Sequence, residues 1–336
     1  MNNSLFYKHF PVPCYMNIDG VGVDVSEDAI RVAKIVSGKN GFELKDFGEY
    51  PLQEGVFASG KIRNAAAIRT VLSEVKKKHS VNFAHAAVSE SQSYLAEFEV
   101  ATVKKSELPG SIELQFSEHI PLEIDAAVFD YRVLGASRKT PDGTAVLVSA
   151  ISKDLSQSYS ELFSSVGITL LSLETESQAV ARAVVPKALT ETVMIVNARS
   201  FRTGIYINHG LVHFASDVEI GWKEVLYNEP LPQDRFSDLE SEINKVLIYW
   251  HAFKEKSASS MEKISRVILC GEGAMISGLS GYLASQLRVP VEQANVWSNI
   301  FSFDRYIPKM KFETSLRYAT AVGLAIRPII PRGKGE

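Results

Sequence analysis

The chain holds only two cysteines, Cys14 and Cys270, in 336 residues. That is too few for a disulfide framework or a cysteine-based zinc centre, and it fits a reducing compartment. Long apolar runs are missing too. None reaches the ~18 residues that a membrane span needs, and the opening Met1-Asn-Asn-Ser-Leu-Phe-Tyr-Lys lacks the apolar core of a secretory signal. These absences predict a cytoplasmic chain that neither crosses a membrane nor leaves for the periplasm. A metal centre is not expected either: His209 and His213 could share a face, but they fall in a predicted hairpin with no third ligand. Nor is there an excess of positive charge. Thirty-six Lys and Arg stand against thirty-nine Asp and Glu, for a net charge of −3. The lysine clusters at 76–78 and 104–105 sit at predicted helix ends or turns. Nucleic acid is therefore not an implied partner.

What is present is ordinary globular composition, 46% hydrophobic and 22% charged, and enough chain for about two domains. Ile18–Ser37 reads as two strands joined by the acidic turn Ser26-Glu27-Asp28, with a third strand, Phe42–Tyr50, after the Lys39-Asn40-Gly41 turn. Asn64–Lys78 is helical, since Ala67, Val71, Leu72 and Val75 fall on one stripe. From His85 to Gly167 the pattern becomes a complete small α+β unit. Its strands are Ala86–Val88, Tyr94–Val100, Ala127–Leu134 and Ala145–Ile151, with a Pro141-Asp142-Gly143 turn before the last. Its helices are Ser106–His119 and Lys153–Val166.

A second hairpin-rich start follows. Val193–Ala198 is a strand, Arg199-Ser200-Phe201 a turn, Arg202–Ile207 the returning strand, and Leu211–Ala215 a third strand after Asn208-His209-Gly210. Leu239–Lys254 is a helix with Ile243, Val246, Leu247 and Trp250 inward. In Arg266–Val291 a buried strand, Val267–Leu269, meets a glycine turn at Gly271 and Gly273. A helix then carries Leu279, Leu283 and Leu287. Such a turn lets a backbone approach a ligand closely, and it also ends many ordinary βα units. Thr314–Ile326 is a last helix rich in small residues. The architecture repeats: Val23-Asp24-Val25-Ser26 and Val196-Asn197-Ala198-Arg199 hold the same place in two strand–turn–strand units. Two such halves with a cleft between them would bind a ligand from both turns.

Two βββα halves, Asp24 in the first turn, Asn197 in the second, a late strand–glycine turn–helix and a small-residue terminal helix together resemble the actin-like ATPase superfamily. Within it the chain resembles the PilM family of type IV pilus assembly proteins, which is related to FtsA. The matching landmarks run in order through most of the chain. They are Phe10-Pro-Val-Pro, Gly22-Val-Asp-Val-Ser, Gly60-Lys-Ile, Glu118-His-Ile-Pro-Leu, Phe129-Asp-Tyr, and Arg202-Thr-Gly with Gly221 beyond it. Ala294-Asn-Val-Trp-Ser-Asn-Ile and Ser315-Leu-Arg-Tyr-Ala-Thr-Ala-Val-Gly-Leu-Ala complete the set. The resemblance implies an α/β fold of duplicated ribonuclease-H-like βββα halves with an inserted small α+β subdomain. The first half would take 18–84, 168–190 and 310–330, the inserted subdomain 85–167, and the second half 191–309, with a small helical part at 236–265. FtsA proteins typically end in an amphipathic membrane-targeting helix, which Ile329-Ile-Pro-Arg-Gly-Lys-Gly-Glu cannot form.

The resemblance also implies a ligand, ATP with magnesium, and a set of positions that would touch it. In the first turn Asp24 keeps a carboxylate that could orient magnesium-bound water, whereas Ser26 stands at a usual Gly and Glu27 at a usual hydroxyl. Arg31 on the returning strand could serve as a basic residue toward the cleft or, by the strand's alternation, face solvent. In the second turn Asn197 replaces an Asp and Arg199 a Gly; Thr203 and Gly204 remain. Gly221 is followed by Trp222 where paired glycines are common, and ordinary packing is the favoured reading of that ring. In the adenosine turn Gly271, Gly273 and Gly278 are intact and Glu272 replaces a small residue. Glu242 and Lys245 either approach a ribose or lie on a solvated helix face.

Phosphoryl transfer is catalysed largely by placement and electrostatics, so three altered turns predict weak or lost hydrolysis and no catalytic residue is assigned. The implied role is a cytoplasmic scaffold peripheral to the inner membrane. It would bind the short N-terminal cytoplasmic tail of PilN in a groove between the inserted subdomain and the first half, and so join the pilus platform to its motor ATPases. The alternatives are an active ATPase that cycles its grip on PilN, an FtsA-like division protein and, more remotely, a sugar kinase. Self-association is left open.

Overall fold

Strand β1 (Gly20–Val25) is buried at every position, because it runs through the middle of a five-stranded sheet between an antiparallel and a parallel neighbour. The computed structural model describes residues 20–38, 41–101, 104, 106–136, 143–223, 233–256 and 263–327. Cys14, the Phe10-Pro-Val-Pro landmark, Ile18, the Lys39-Asn40 and Pro141-Asp142 turn residues and the stretch from Ile329 to Glu336 lie outside these residues.

After β1 come β2 (Ala29–Gly38), β3 (Gly41–Pro51), the short pair β4 (Phe57–Ala58) and β5 (Lys61–Ile62), and helix α1 (Ala65–His79). The Asn64 side chain accepts a hydrogen bond from the Ala67 N–H at 3.1 Å, and Lys76, Lys77, Lys78 and His79 crowd the carbonyl end of α1. Both features suit the helix dipole. Strand β6 (Phe83–Val88) returns to the sheet. A three-stranded sheet then forms from β7 (Ser93–Ala101), β8 (Ala127–Ala136) and β9 (Gly143–Ser152), in the order β7-β9-β8, with α2 (Leu108–His119) against it. Helix α3 (Lys153–Ser165), within the stretch expected to be inserted, buries Tyr159, Leu162 and Phe163 in the core of the first half. Strand β10 (Thr169–Thr175) completes the first sheet and leads into α4 (Glu176–Val184).

The second half repeats the plan. Its elements are β11 (Val193–Ala198), β12 (Thr203–His209), β13 (Leu211–Val218), α5 (Gln233–Lys256), β14 (Arg266–Cys270), α6 (Leu279–Leu287) and β15 (Val291–Gln293). Its sheet order, β15-β14-β11-β12-β13, matches β10-β6-β1-β2-β3 strand for strand. The pairing senses match as well: β1 is antiparallel to β2 and parallel to β6, and β11 is antiparallel to β12 and parallel to β14. Among the described residues no helix is long and apolar enough to cross a membrane.

The last helical stretch is not the single helix expected over Thr314–Ile326. It breaks at Arg317-Tyr318 into α7 (Phe312–Leu316) and α8 (Ala319–Ala325). The break has two causes on either side of it. Tyr318 is buried with its ring edge-on to Phe47 at 5.9 Å, and the Leu316 carbonyl accepts the Gly271 N–H at 2.9 Å instead of continuing the helix. Helix α8 is buried at all seven positions and wedges between β1 and α4. Only small residues allow that approach. A Cβ on Gly22 would lie 1.9 Å from the Ala321 carbonyl oxygen, and one on Gly323 1.8 Å from that of Ala179.

Gly323→Ala should therefore cost roughly 3 kcal/mol of stability in urea unfolding, since overpacking against backbone cannot be relieved by a rotamer change. Gly281→Ala in α6 faces open space and should instead gain up to ~1 kcal/mol from helix propensity.

Candidate functional site

The tips of the two central hairpins face each other. Asp24 is paired with Arg31 across the first hairpin, and Asn197 with Gly204 across the second, so Asp24 and Asn197 hold equivalent sites one residue from the ends of β1 and β11. Turn chemistry fixes both tips. The Ser26 N–H and hydroxyl both donate to the Ala29 carbonyl, at 3.0 and 2.7 Å, and the Arg199 N–H donates to the Arg202 carbonyl at 2.9 Å.

Three buried guanidiniums fill the space between the tips. Arg199, from the second half, donates to Asp24 of the first half at 2.7 Å and to Glu176, the first residue of α4, at 2.5 Å. Arg202 donates to the other oxygen of Glu176 at 2.6 Å and approaches Asp217 of β13 at 3.1 Å and Glu27 at 3.5 Å. Arg31 donates to Asp28 at 2.5 Å and, across the cleft, to Glu272 at 2.7 Å. Asn197 Nδ2 also reaches Glu176, at 2.8 Å, and the Ser200 hydroxyl reaches Asp28 at 3.2 Å. Every turn expected to touch a ligand is thus engaged with another turn of the same chain.

Burial works against ionisation of Glu176, but the guanidiniums of Arg199 and Arg202 outweigh it and hold the carboxyl down at about 2. Asp28 likewise sits well below the usual carboxylate range, where Arg31 overcomes the effect of burial. Glu272 differs: burial pushes it up despite Arg31, and its Oε2 has no partner. Removing one member of such a buried pair leaves an uncompensated charge, which costs ~3–5 kcal/mol.

Of the remaining expected ligand contacts, Glu27 turns to the Ser59 N–H at 2.8 Å. The Thr203 hydroxyl donates to the Ile220 carbonyl at 2.7 Å and accepts the Trp222 indole N–H at 2.8 Å. Trp222 is wholly buried in the second-half core. Gly221 packs against the Ser200–Phe201 backbone, and its carbonyl accepts a hydrogen bond from Arg235. Gly271 and Gly278 adopt positive φ of 80° and 88°, conformations that favour glycine, and a Cβ on Gly273 would strike Ala198 and Trp222. Two readings need correction or resolve here. Arg31 does not face solvent as strand alternation allowed; it is 1% exposed, because the adjacent turn and Glu272 supply carboxylates that neutralise it. Glu242 and Lys245 pair with each other at 2.6 Å on the exposed face of α5.

A magnesium-bound polyphosphate does not fit the turns as they stand. The guanidinium of Arg199 occupies the gap between Asp24 and Glu176, and the cavity of about 280 Å³ beside it is lined by Asp28, Glu49, Glu54 and Glu272 as well as by Arg31, Lys223 and Arg317. Among the described residues no group of three His, Cys, Asp or Glu side chains is placed to hold a metal ion. Glu176 is the central residue that sequence reasoning missed. A Glu opening a helix is ordinarily read as a partner of the helix dipole; only the apolar run that follows it, Ala179-Val180-Ala181, hinted that it would be buried.

The network continues outward. The other contacts of Asp217 are the Ser89 hydroxyl at 2.7 Å and the Ser91 N–H at 3.3 Å, at the point where the chain enters the three-stranded sheet. Beside them Glu90 accepts the Ser177 N–H of α4 at 2.7 Å and the Ser93 hydroxyl at 3.2 Å. Burial, then the neighbouring Asp217 carboxylate, push Glu90 up to about 8. On the far side of α4 lies a groove of about 160 Å³ between β8 and β9 of the small sheet and β10 and α4 of the first half. Phe129, Tyr131, Ser149, Leu173, Gln178 and Arg182 are among its walls. The carboxylate of Glu174 at its base is held by Arg182 through two bonds of 2.6 Å and by Arg327. Strand β8 is an edge strand, with Val128 and Val133 exposed along it.

The family model described as type IV pilus assembly protein PilM matches residues 22–212 and 236–329. Among solved structures, that of a PilM–PilN type IV pilus biogenesis complex is similar with a TM-score of 0.76 at 17% identity, covering 94% of this chain and 99% of that one. The ethanolamine utilization protein EutJ from Carboxydothermus hydrogenoformans gives 0.49 at 13%, covering 94% and 91%. MreB5 of Spiroplasma citri bound to ADP gives 0.48 at 10%, covering 91% and 94%. The fold is that of the actin-like ATPases, as expected from the repeated halves.

Glu90 gives the fold a pH signature. Its carboxyl loses a proton near the ordinary 4.5 when unfolded and near 8 when folded, so its contribution to stability is complete at low pH and fades as the pH rises between those values. Glu90→Gln keeps the neutral form. Its unfolding free energy, from urea titrations, should decline less than that of the wild type between pH 5 and 8, by about 1 kcal/mol or more.

Proposed function

The chain belongs to the PilM family of type IV pilus assembly proteins, and on that premise we propose that it is an adaptor whose groove between β8 and α4 holds the cytoplasmic tail of a PilN-like membrane protein. The observation that carries this reading is the groove itself. It combines apolar and aromatic walls, a fixed charged base at Glu174 with Arg182 and Arg327, and, among the described residues, a strand, β8, at the edge of its sheet. An extended peptide needs those three things: pockets for alternate side chains, a polar register mark and backbone hydrogen-bond partners. The complex similar to this chain carries PilN as its partner by name. In this role the chain stands at the cytoplasmic face of the inner membrane, held there by the tail, and offers the rest of its surface to the pilus platform and its motors.

An ATPase that cycles its grip on the tail is the second reading. The guanidinium network weighs against it, because hydrolysis requires a cradled γ-phosphate and placed water where Arg199 and Arg202 are hydrogen-bonded to Glu176. An FtsA-like division role lacks support from the family match.

Ser149→Trp fills the floor of the groove from β9 and removes the Gln178 hydrogen bond at 3.0 Å. Fluorescence anisotropy with a labelled PilN N-terminal peptide should show a loss of affinity of tenfold or more, about 1.4 kcal/mol, with the melting temperature nearly retained. Unchanged peptide affinity in the folded variant would sink the groove assignment.

A further inference from the structure

We infer that the cleft of this chain is a self-sufficient clasp, in which Arg199 and Arg31 join the two halves in the position where related folds place a nucleotide, so that closure requires no ligand. Four contacts cross the cleft, and none of them involves the tail groove. Arg199 to Asp24 at 2.7 Å and Arg31 to Glu272 at 2.7 Å are the inner pair. The Ser200 hydroxyl to Asp28 at 3.2 Å and Arg202 to Glu27 at 3.5 Å flank them. The donors and acceptors alternate between halves: the first supplies Asp24, Glu27, Asp28 and Arg31, and the second supplies Arg199, Ser200, Arg202 and Glu272. A single charged ligand could not replace that arrangement without leaving at least one guanidinium or carboxylate buried and unpaired.

Charge and shape agree. A polyphosphate draws two turns together because each presents N–H donors and a metal to it. Here the positive charge is part of the chain, on Arg199, and the acceptor opposite it is Asp24, the residue that the family resemblance assigns to magnesium-bound water. Glu176 then fixes Arg199 from a third direction, since its two oxygens are divided between Arg199 and Arg202. Arg202 passes the constraint to Asp217, and Asp217 to Ser89 and Ser91, where the three-stranded subdomain begins. Three bodies therefore meet in one buried polar network: the first half, the second half and the stem of the inserted subdomain. Asn197 in place of an Asp belongs to the same design. A carboxylate there would stand beside Glu176 at the distance where the Asn197 amide now donates to it, 2.8 Å.

Measurements on the full chain distinguish a clasp from a weak ATP site. Calorimetric titration and melting curves of the wild type with magnesium and ATP should show no binding heat and no rise in melting temperature at millimolar nucleotide. Arg199→Lys and Asp24→Asn should each lower the melting temperature by on the order of 5–10 °C. The double variant should fall by less than the sum of the two losses, because the partners are coupled. A magnesium-dependent rise in the wild-type melting temperature overturns the clasp, as do fully additive losses. Should either variant fail to fold, the wild-type titration alone still decides.

Discussion

The interaction on which this fold turns is the one between Arg199, Asp24 and Glu176. It brings together the tip of β11–β12, the tip of β1–β2 and the first residue of α4, with all three side chains buried and Arg199 standing 175 positions from Asp24. A guanidinium is suited to the place because it stays charged in a desolvated site and offers several donors in one plane, so one side chain can satisfy carboxylates from two directions. Such a cluster is weak evidence for stability in itself. Its consequence is specificity: Asp24 and both oxygens of Glu176 find guanidinium partners only when the two halves meet in this arrangement.

Small residues make the arrangement reachable. Gly22 and Gly323 let α8 lie directly on β1 and α4, and that contact sets where Glu176 stands relative to Asp24. The Thr320 hydroxyl of α8 also faces Glu176, at 3.4 Å. The glycine turn at Gly271 closes the other side, because its N–H caps α7 through Leu316 while Glu272 reaches Arg31. The groove on the opposite face of α4 is bounded by the same helix, so the clasp and the groove share a wall, although the ion pairs of the groove, Glu174 with Arg182 and Arg327, are separate from those of the clasp.

Much of this was legible in the sequence. The repeated strand–turn–strand units placed Asp24 and Asn197 as equivalents, and the register of β1–β2 and β11–β12 bears that out. Helix α1 and strand β11 follow from periodicity within a residue of their observed ends. The partners of the polar residues were not legible. Arg31 alternates with apolar neighbours as a solvent-facing strand residue does, and only the approach of Glu272 from 241 positions away buries it as an ion pair. Strand β10 and helix α4, and with them Glu176, went unread because a buried Glu at a helix start has the same local signature as an exposed one. The division of the last helix at Arg317-Tyr318 is equally a tertiary effect, imposed by the Gly271 turn and the Phe47 ring.

The central claim, that the chain holds its own cleft shut, is tested most directly by a distance across it. Spin labels on Arg69→Cys in α1 and Lys245→Cys in α5, both exposed, in a chain carrying Cys14→Ser, report the separation of the halves by pulsed dipolar spectroscopy; Cys270 is buried and does not label. The account predicts one narrow distance distribution that magnesium and ATP leave unchanged. A broad distribution that narrows or shifts when nucleotide is added would contradict it.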